Sequence, residues 1–228
     1  MKKILVACCI LYTFISCDIQ YDGETKLVVT GKLIDNKGVP IPETNVDILI
    51  NGLGTYSNSD IISYGKTDIN GNFTYIFPAP GSENEINISI NNFILNYNTK
   101  NATNEFQSKQ IIALLKNFKN YKLNLNTITL YRNEDITQLQ IILNPKTDKK
   151  QLLDVTLDGN IITDFSNLNP LATPNYTPPI ETNYSILKNQ TLILKYKVVD
   201  YSSGTSITTE NNISIPVSNE KVIFTLTY

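Results

Sequence analysis

After residue 26 the chain alternates apolar and polar positions with period two, the pattern of half-buried β-strands. Leu27 to Asp35 places Val29, Gly31 and Leu33 on one face, and Asn45 to Asn51 places Val46, Ile48 and Ile50 on one face. Phe73, Tyr75 and Phe77 share a face, as do Ile86, Ile88 and Ile90, and Leu123 to Leu130 holds a further apolar run. In that run the apolar phase switches between Asn126 and Thr127, where a β-bulge would keep Leu123, Leu125, Ile128 and Leu130 on the core side. Alternation resumes with Leu139, Ile141 and Leu143, then Leu153, Val155 and Leu157. Leu192, Leu194, Tyr196 and Val198 form the strongest strand, followed by a short one at Ile213 and Ile215 and a last one over Val222, Phe224, Leu226 and Tyr228.

Turn chemistry separates these runs. Asp35-Asn-Lys-Gly38, Asp68-Ile-Asn-Gly71, Asp158-Gly-Asn160 and Tyr201-Ser-Ser-Gly204 read as turns, with Gly38 and Gly71 supplying positive φ. Short alternating strands with such punctuation predict an all-β fold of two tandem β-sandwich domains, over residues 26–132 and 133–228. The second has the strand spacing of an immunoglobulin-like or fibronectin III-like sandwich. Gly52 to Ile62 reads as a loop insertion. Asn167 to Ile180, with Pro170, Pro174, Pro178 and Pro179, reads as an extended surface loop rather than a central strand.

The N-terminus follows a different pattern. Lys2 and Lys3 precede a 12-residue apolar run, Ile4 to Ile15, and then Ser16-Cys17. The run is too short for a bilayer span, which needs about 20 residues, so it reads as a secretory signal over residues 1–16. Phe14-Ile15-Ser16-Cys17 resembles a bacterial lipobox. That resemblance implies cleavage before Cys17, a diacylglycerol thioether on its sulfur, an acylated amine, and anchoring to the outer membrane of a Gram-negative bacterium, on the surface or periplasmic face. Residues 17–25 read as the tether. The three cysteines are Cys8, Cys9 and Cys17, so the mature chain keeps one and forms no internal disulfide.

The first domain resembles the carboxypeptidase regulatory-like family, a transthyretin-like β-sandwich of about seven strands that occurs in cell-surface proteins. Val29-Thr-Gly-Lys-Leu33, Asp35-Asn-Lys-Gly-Val-Pro-Ile41, Val46-Asp-Ile48 and Gly65-Lys-Thr-Asp-Ile-Asn-Gly-Asn-Phe73 carry the likeness, with Leu125-Asn-Thr-Ile-Thr-Leu130 as a closing strand. The resemblance implies a non-catalytic domain in which Gly31 allows close packing and Phe73 fills the core. Ile111, Leu114, Leu115 and Phe118 fit helical spacing, but that fold context favours a strand over Ser108 to Leu115.

Composition narrows the chemistry. The chain contains no histidine and no cysteine after Cys17, which removes imidazole catalysis, Ser-His-Asp and Cys-His arrangements, and zinc sites built on those ligands. Without residues 1–16 it carries 17 basic against 21 acidic side chains, and Lys146-Thr-Asp-Lys-Lys150, its densest basic cluster, reads as a solvated hairpin turn, so no nucleic-acid partner is expected. Asp68, Asn70 and Asn72 alternate superficially like a calcium loop but lack its distal carboxylate, and a β-turn explains them better. Neither a phosphate loop nor a dinucleotide fingerprint is present, and no cofactor is expected. The expectation is a non-enzymatic surface module with a structural or protein-interaction role. The rival reading is a glycan-binding surface lipoprotein that assists an outer-membrane nutrient importer through exposed tyrosines: Tyr56 in the insertion, Tyr176 in the Pro-rich loop, and Tyr184 beyond it.

Overall fold

The computed structural model describes residues 19–52, 58–91, 105–169 and 180–228, and all statements below concern these residues. Apart from two single-turn 3-10 segments, Leu115–Asn117 and Asn133–Asp135, every regular element is a strand. The protein is all-β, built as two compact units of stacked sheets.

The first unit contains β1 (Tyr21–Ile34), β2 (Asn45–Asn51), β3 (Ser59–Lys66), β4 (Asn72–Pro80), β5 (Glu85–Ile90), β6 (Lys109–Ala113) and β7 (Lys122–Thr129). One sheet has the order β4-β1-β7, and β1 and β7 run parallel. The other sheet places β6, β5, β2 and β3 side by side in antiparallel pairs. Its far edge is covered by β11 (Phe165–Asn167), a three-residue strand that pairs in parallel with β6. Leu27, Val29, Leu33, Phe73 and Phe77 fill the core from one sheet, and Val46, Ile48, Ile50, Ile86, Ile88 and Ile90 from the other, all 4% exposed or less. Period-two alternation therefore becomes a two-sided core, as the sequence pattern requires. A Cβ on Gly31 would come within 2.5 Å of Phe73 Cζ, so the missing side chain there makes room for the ring.

The second unit contains β8 (Ile136–Asn144), β9 (Lys150–Asp158), β10 (Ile161–Ile162), β12 (Asn183–Leu187), β13 (Gln190–Asp200), β14 (Ile207–Val217) and β15 (Val222–Thr227). Its sheets have the orders β10-β12-β8-β15 and β14-β13-β9. Leu139, Ile141, Tyr184, Ile186 and Leu226 pack against Leu152, Leu157, Leu192, Leu194, Val198, Ile215 and Val217.

The units are discontinuous in sequence. Residues 105–107 and 131–164 group with the second, while 108–130 and 165–169 group with the first.

Several local expectations meet corrections. Residues 21–25 are not tether: Tyr21 and Asp22 pair with Pro80 and Ala79, and an irregularity between Asp22 and Lys26 hides the alternation. Ser59 to Ile62 belongs to β3 and is not loop, while residues 53–57 lie outside the described set. Residues 109–113 form a strand, and the following turn is 3-10, which explains the helix-like spacing nearby. The β1–β7 register shifts between Thr30–Asn124 and Lys32–Thr127, the bulge expected from the switch of apolar phase. In β9 a shift opposite Lys197 and Val198 buries Leu152 and leaves Leu153 41% exposed, reversing the expected face. Lys146 to Lys150 joins β8 to β9, which lie in different sheets, so it is a crossover and not a hairpin.

Candidate functional site

Two copies of one turn organise one end of the first unit. Asp35 Oδ1 accepts the backbone N–H groups of Lys37 and Val39, each at 2.8 Å, and Gly38 has φ +82°. Asp68 Oδ1 accepts those of Asn70 at 2.9 Å and Asn72 at 2.8 Å, and Gly71 has φ +76°. Short aspartate side chains suit this role because they can bond backbone two and four residues ahead. The turns interlock: Leu33 N–H donates to Gly71 O at 2.8 Å, and Ile41 N–H donates to Leu33 O at 3.1 Å. The second turn joins β3 to β4, both edge strands of their sheets, and brings them together at the side of the sandwich.

A groove of about 380 Å³ opens there, lined by Gly65, Lys66, Asp68, Asn72, Phe73, Thr74 and Tyr75. Tyr75 is 8% exposed, and its hydroxyl finds no hydrogen-bond partner among the described residues. The hydroxyl reaches β3 because position 65 is glycine: a Cβ there would lie 3.1 Å from both Tyr75 Cε1 and its hydroxyl oxygen. Burial, with the Asp47 carboxylate adding to it, pushes the Tyr75 pKa up to about 12, so the group is a neutral donor at physiological pH. Burial also raises the Asp47 pKa.

The charged groups of the groove already have partners. Lys66 Nζ stands 3.4 Å from Glu43 Oε2. Asp68 is held below the usual carboxylate range chiefly by the Asn72 backbone N–H, with the Asn72 side chain and the Asn70 N–H also contributing. Its oxygens serve the turn, so the alternating Asp68, Asn70 and Asn72 act as a β-turn. Among the described residues no group of three or more His, Cys, Asp or Glu side chains is placed to hold a metal ion.

The second unit presents a polar surface on the sheet of β9, β13 and β14, where a depression of about 380 Å³ is lined by Asp154, Thr156, Lys195, Lys197, Glu210 and Asn212 among others. Lys197 pairs with Glu210 at 2.8 Å and Lys195 with Asp158 at 2.5 Å. The Glu210 carboxylate raises the Lys197 pKa, and the ammonium lowers that of Glu210. Opposite charges thus neutralise one another on this face.

Cys17, Tyr56 and Tyr176 lie outside the described residues. Tyr184 is corrected: it is 8% exposed in the second core, and its hydroxyl donates to the Glu181 carbonyl at 2.9 Å. It alternates with Ile186 along β12, so the pleat turns it inward. Sequence reasoning gave Tyr75 only a packing role. The available signal was a tyrosine between two phenylalanines on a core face, since a buried phenol normally needs a partner.

No protein-family model matches the chain, and no curated protein matches it either. Among solved structures, the TIE protein of Bacillus anthracis overlaps 89% of this chain and 34% of its own, at 12% identity and a TM-score of 0.32. This chain therefore spans about a third of that one. A 3-chlorocatechol 1,2-dioxygenase from Rhodococcus opacus overlaps 50% of this chain and 61% of its own, at 14% identity and a TM-score of 0.33. The shaft pilin SpaA of Lactobacillus rhamnosus GG overlaps 89% and 97%, at 9% identity and a TM-score of 0.30. Such scores fall below the level of a shared fold.

Proposed function

We propose that this chain is a non-catalytic lipoprotein, anchored through Cys17 to the outer membrane of a Gram-negative bacterium, whose two β-sandwiches serve as a surface structural or protein-interaction module. The observation that carries it is the N-terminal order Lys2-Lys3, 12 apolar residues, Ser16 and Cys17. Several acyl chains, each contributing about 0.8 kcal/mol per buried methylene, hold a protein at a membrane without a spanning segment. Among the described residues no helix is long and apolar enough to cross a membrane. The first unit is assigned to the carboxypeptidase regulatory-like type on its motifs, with Gly31 seated against Phe73 in support. A structural role fits a chain without histidine whose exposed charges on the second unit's sheet are mutually paired.

Metabolic labelling with palmitate tests the anchor. Label should enter the wild-type polypeptide and be lost in Cys17→Ala, which should also leave the membrane fraction. An unlabelled wild-type protein, or a Cys17→Ala variant that fractionates unchanged, would refute the proposal. Protease treatment of intact cells then separates surface from periplasmic display.

A further inference from the structure

We infer that the free edge of β14 pairs with the same edge of a second copy of this chain, forming one antiparallel sheet across two molecules with Asn211 at its centre. This names a partner for the interaction role proposed above and rests on that reading. β14 is the outer strand of the order β14-β13-β9, and it runs unbroken against β13 from Ile207–Asp200 to Val217–Gln190. Apart from that ladder, the backbone of residues 207–215 makes no hydrogen bond among the described residues. Thr208, Glu210, Asn212 and Ser214 are all exposed. The other edge strands longer than six residues, β3, β4, β7 and β9, pair with a shifted register, and such irregularity blunts an edge. β14 has no shift, no lysine and no arginine. Its one charged side chain, Glu210, is engaged by Lys197.

Pro216 fixes the register. It stands opposite Thr191 and has no N–H, which suits an edge strand only when its nitrogen faces away from β13. Orientation alternates along an antiparallel ladder, so Thr208, Glu210, Asn212 and Ser214 share that direction and present their N–H and C=O groups outward. The edge is therefore usable from Ile207, where β14 starts, to Ile215, after which Pro216 offers no donor. Asn211 is the midpoint of that stretch. Two-fold pairing about it sets Thr208 opposite Ser214 of the second copy and Glu210 opposite Asn212, with roughly eight backbone hydrogen bonds exchanged. It also sets Ile207, 53% exposed, opposite Ile215. A register centred on Glu210 would instead oppose two like charges, which is destabilising. Each copy spends this edge in the contact, so the assembly closes at two chains.

The test uses the full-length chain in mild detergent, by sedimentation velocity and by disulfide trapping. The wild type should sediment as a dimer that dissociates on dilution. Asn212→Pro removes an outward N–H and should leave a monomer with its melting transition retained. At the centre, two Asn211 Cα atoms would lie about 4.5 Å apart, within the roughly 4.4–6.8 Å that a disulfide spans. Asn211→Cys should thus give a dimer on a non-reducing gel. Thr209→Cys should not, because two copies of that position would lie about 14 Å apart along the strands. The parent chain, whose cysteines all lie at or before Cys17, sets the background. A wild type that stays monomeric when concentrated, or that forms species larger than a dimer, would overturn the inference. So would a dimer that survives in folded Asn212→Pro, or one trapped equally well by Thr209→Cys. Should Asn212→Pro fail to fold, the two cysteine variants decide the matter alone. Palmitate labelling is blind to these outcomes, so this inference and the anchoring proposal fail separately.

Discussion

Gly38 and Gly71 occupy the same position in two near-identical turns, with φ +82° and +76°, but in different surroundings. A Cβ on Gly38 would meet nothing within 4 Å, whereas one on Gly71 would lie 2.3 Å from the Leu33 carbonyl oxygen and 3.2 Å from Ile41 N. Replacing each by alanine therefore separates backbone strain from steric conflict. Gly38→Ala carries only the left-handed penalty, about 1–2 kcal/mol, offset by roughly 0.4–1 kcal/mol from a stiffer unfolded chain. A net loss of about 1 kcal/mol is expected. Gly71→Ala carries the same term and must also move a backbone carbonyl. That carbonyl accepts from Ile41 N–H, and its own residue donates to Gly71 O, both in buried surroundings. Weakening two such bonds adds about 1 kcal/mol each, before any repacking around Leu33. The expected loss is about 3 kcal/mol or more, at least about 2 kcal/mol beyond that of Gly38→Ala. Urea unfolding followed by circular dichroism measures both, with equal slopes needed for a clean comparison. Equal losses in the two variants would refute the reasoning, because they would show that the Leu33 carbonyl yields freely.

Three further outcomes follow from the geometry. Tyr184→Phe should lose about 1 kcal/mol by leaving the Glu181 carbonyl unpaired, whereas Tyr75→Phe should be neutral or gain up to about 1 kcal/mol; the same urea titration compares them, and equal signs would contradict the assigned partners. The lowered pKa of Asp68 contributes stability that is full above the unfolded carboxylate value of about 3.9 and is lost as pH falls through the lower folded value. The stability difference between wild type and Asp68→Asn should then narrow below about pH 4, and a constant gap from pH 7 to 3 would reject that linkage. A fragment spanning residues 26–132 lacks β11 and the Tyr21–Pro80 pairing, which leaves the β6 edge open. It should self-associate in size-exclusion chromatography, and a well-folded monomer would show that the short strand is dispensable.

Strands that alternate strictly were legible because a two-sided sheet imposes period two on the residues. Ile86, Ile88 and Ile90 came inward as a set, and so did Phe73, Tyr75 and Phe77. Even the irregularity in β7 could be anticipated, because Leu125 and Ile128 are spaced by an odd step. Alternation failed at two other irregularities: the stretch between Asp22 and Lys26 concealed the start of β1, and the β9 shift exchanged Leu153 for Leu152. It also failed where polar residues formed strand by pairing alone. Ile207 to Asn212 is exposed throughout yet continues β14, because β13 supplies a partner at every position. The groove was invisible for another reason. Gly65 and Tyr75 meet across two strands whose approach depends on the turn between them, and no local pattern encodes that distance.

In both units the opening strand is bound, in parallel, to one that the ribosome makes much later: Val28 beside Lys122, and Leu139 beside Val222. Neither sandwich can close before that late strand has emerged, so loop closure over long chain separations sets the pace of folding. Each unit of the nascent chain therefore lacks its closing pairing until synthesis of that unit is nearly complete, the unlocked state that the proposed export would require of it.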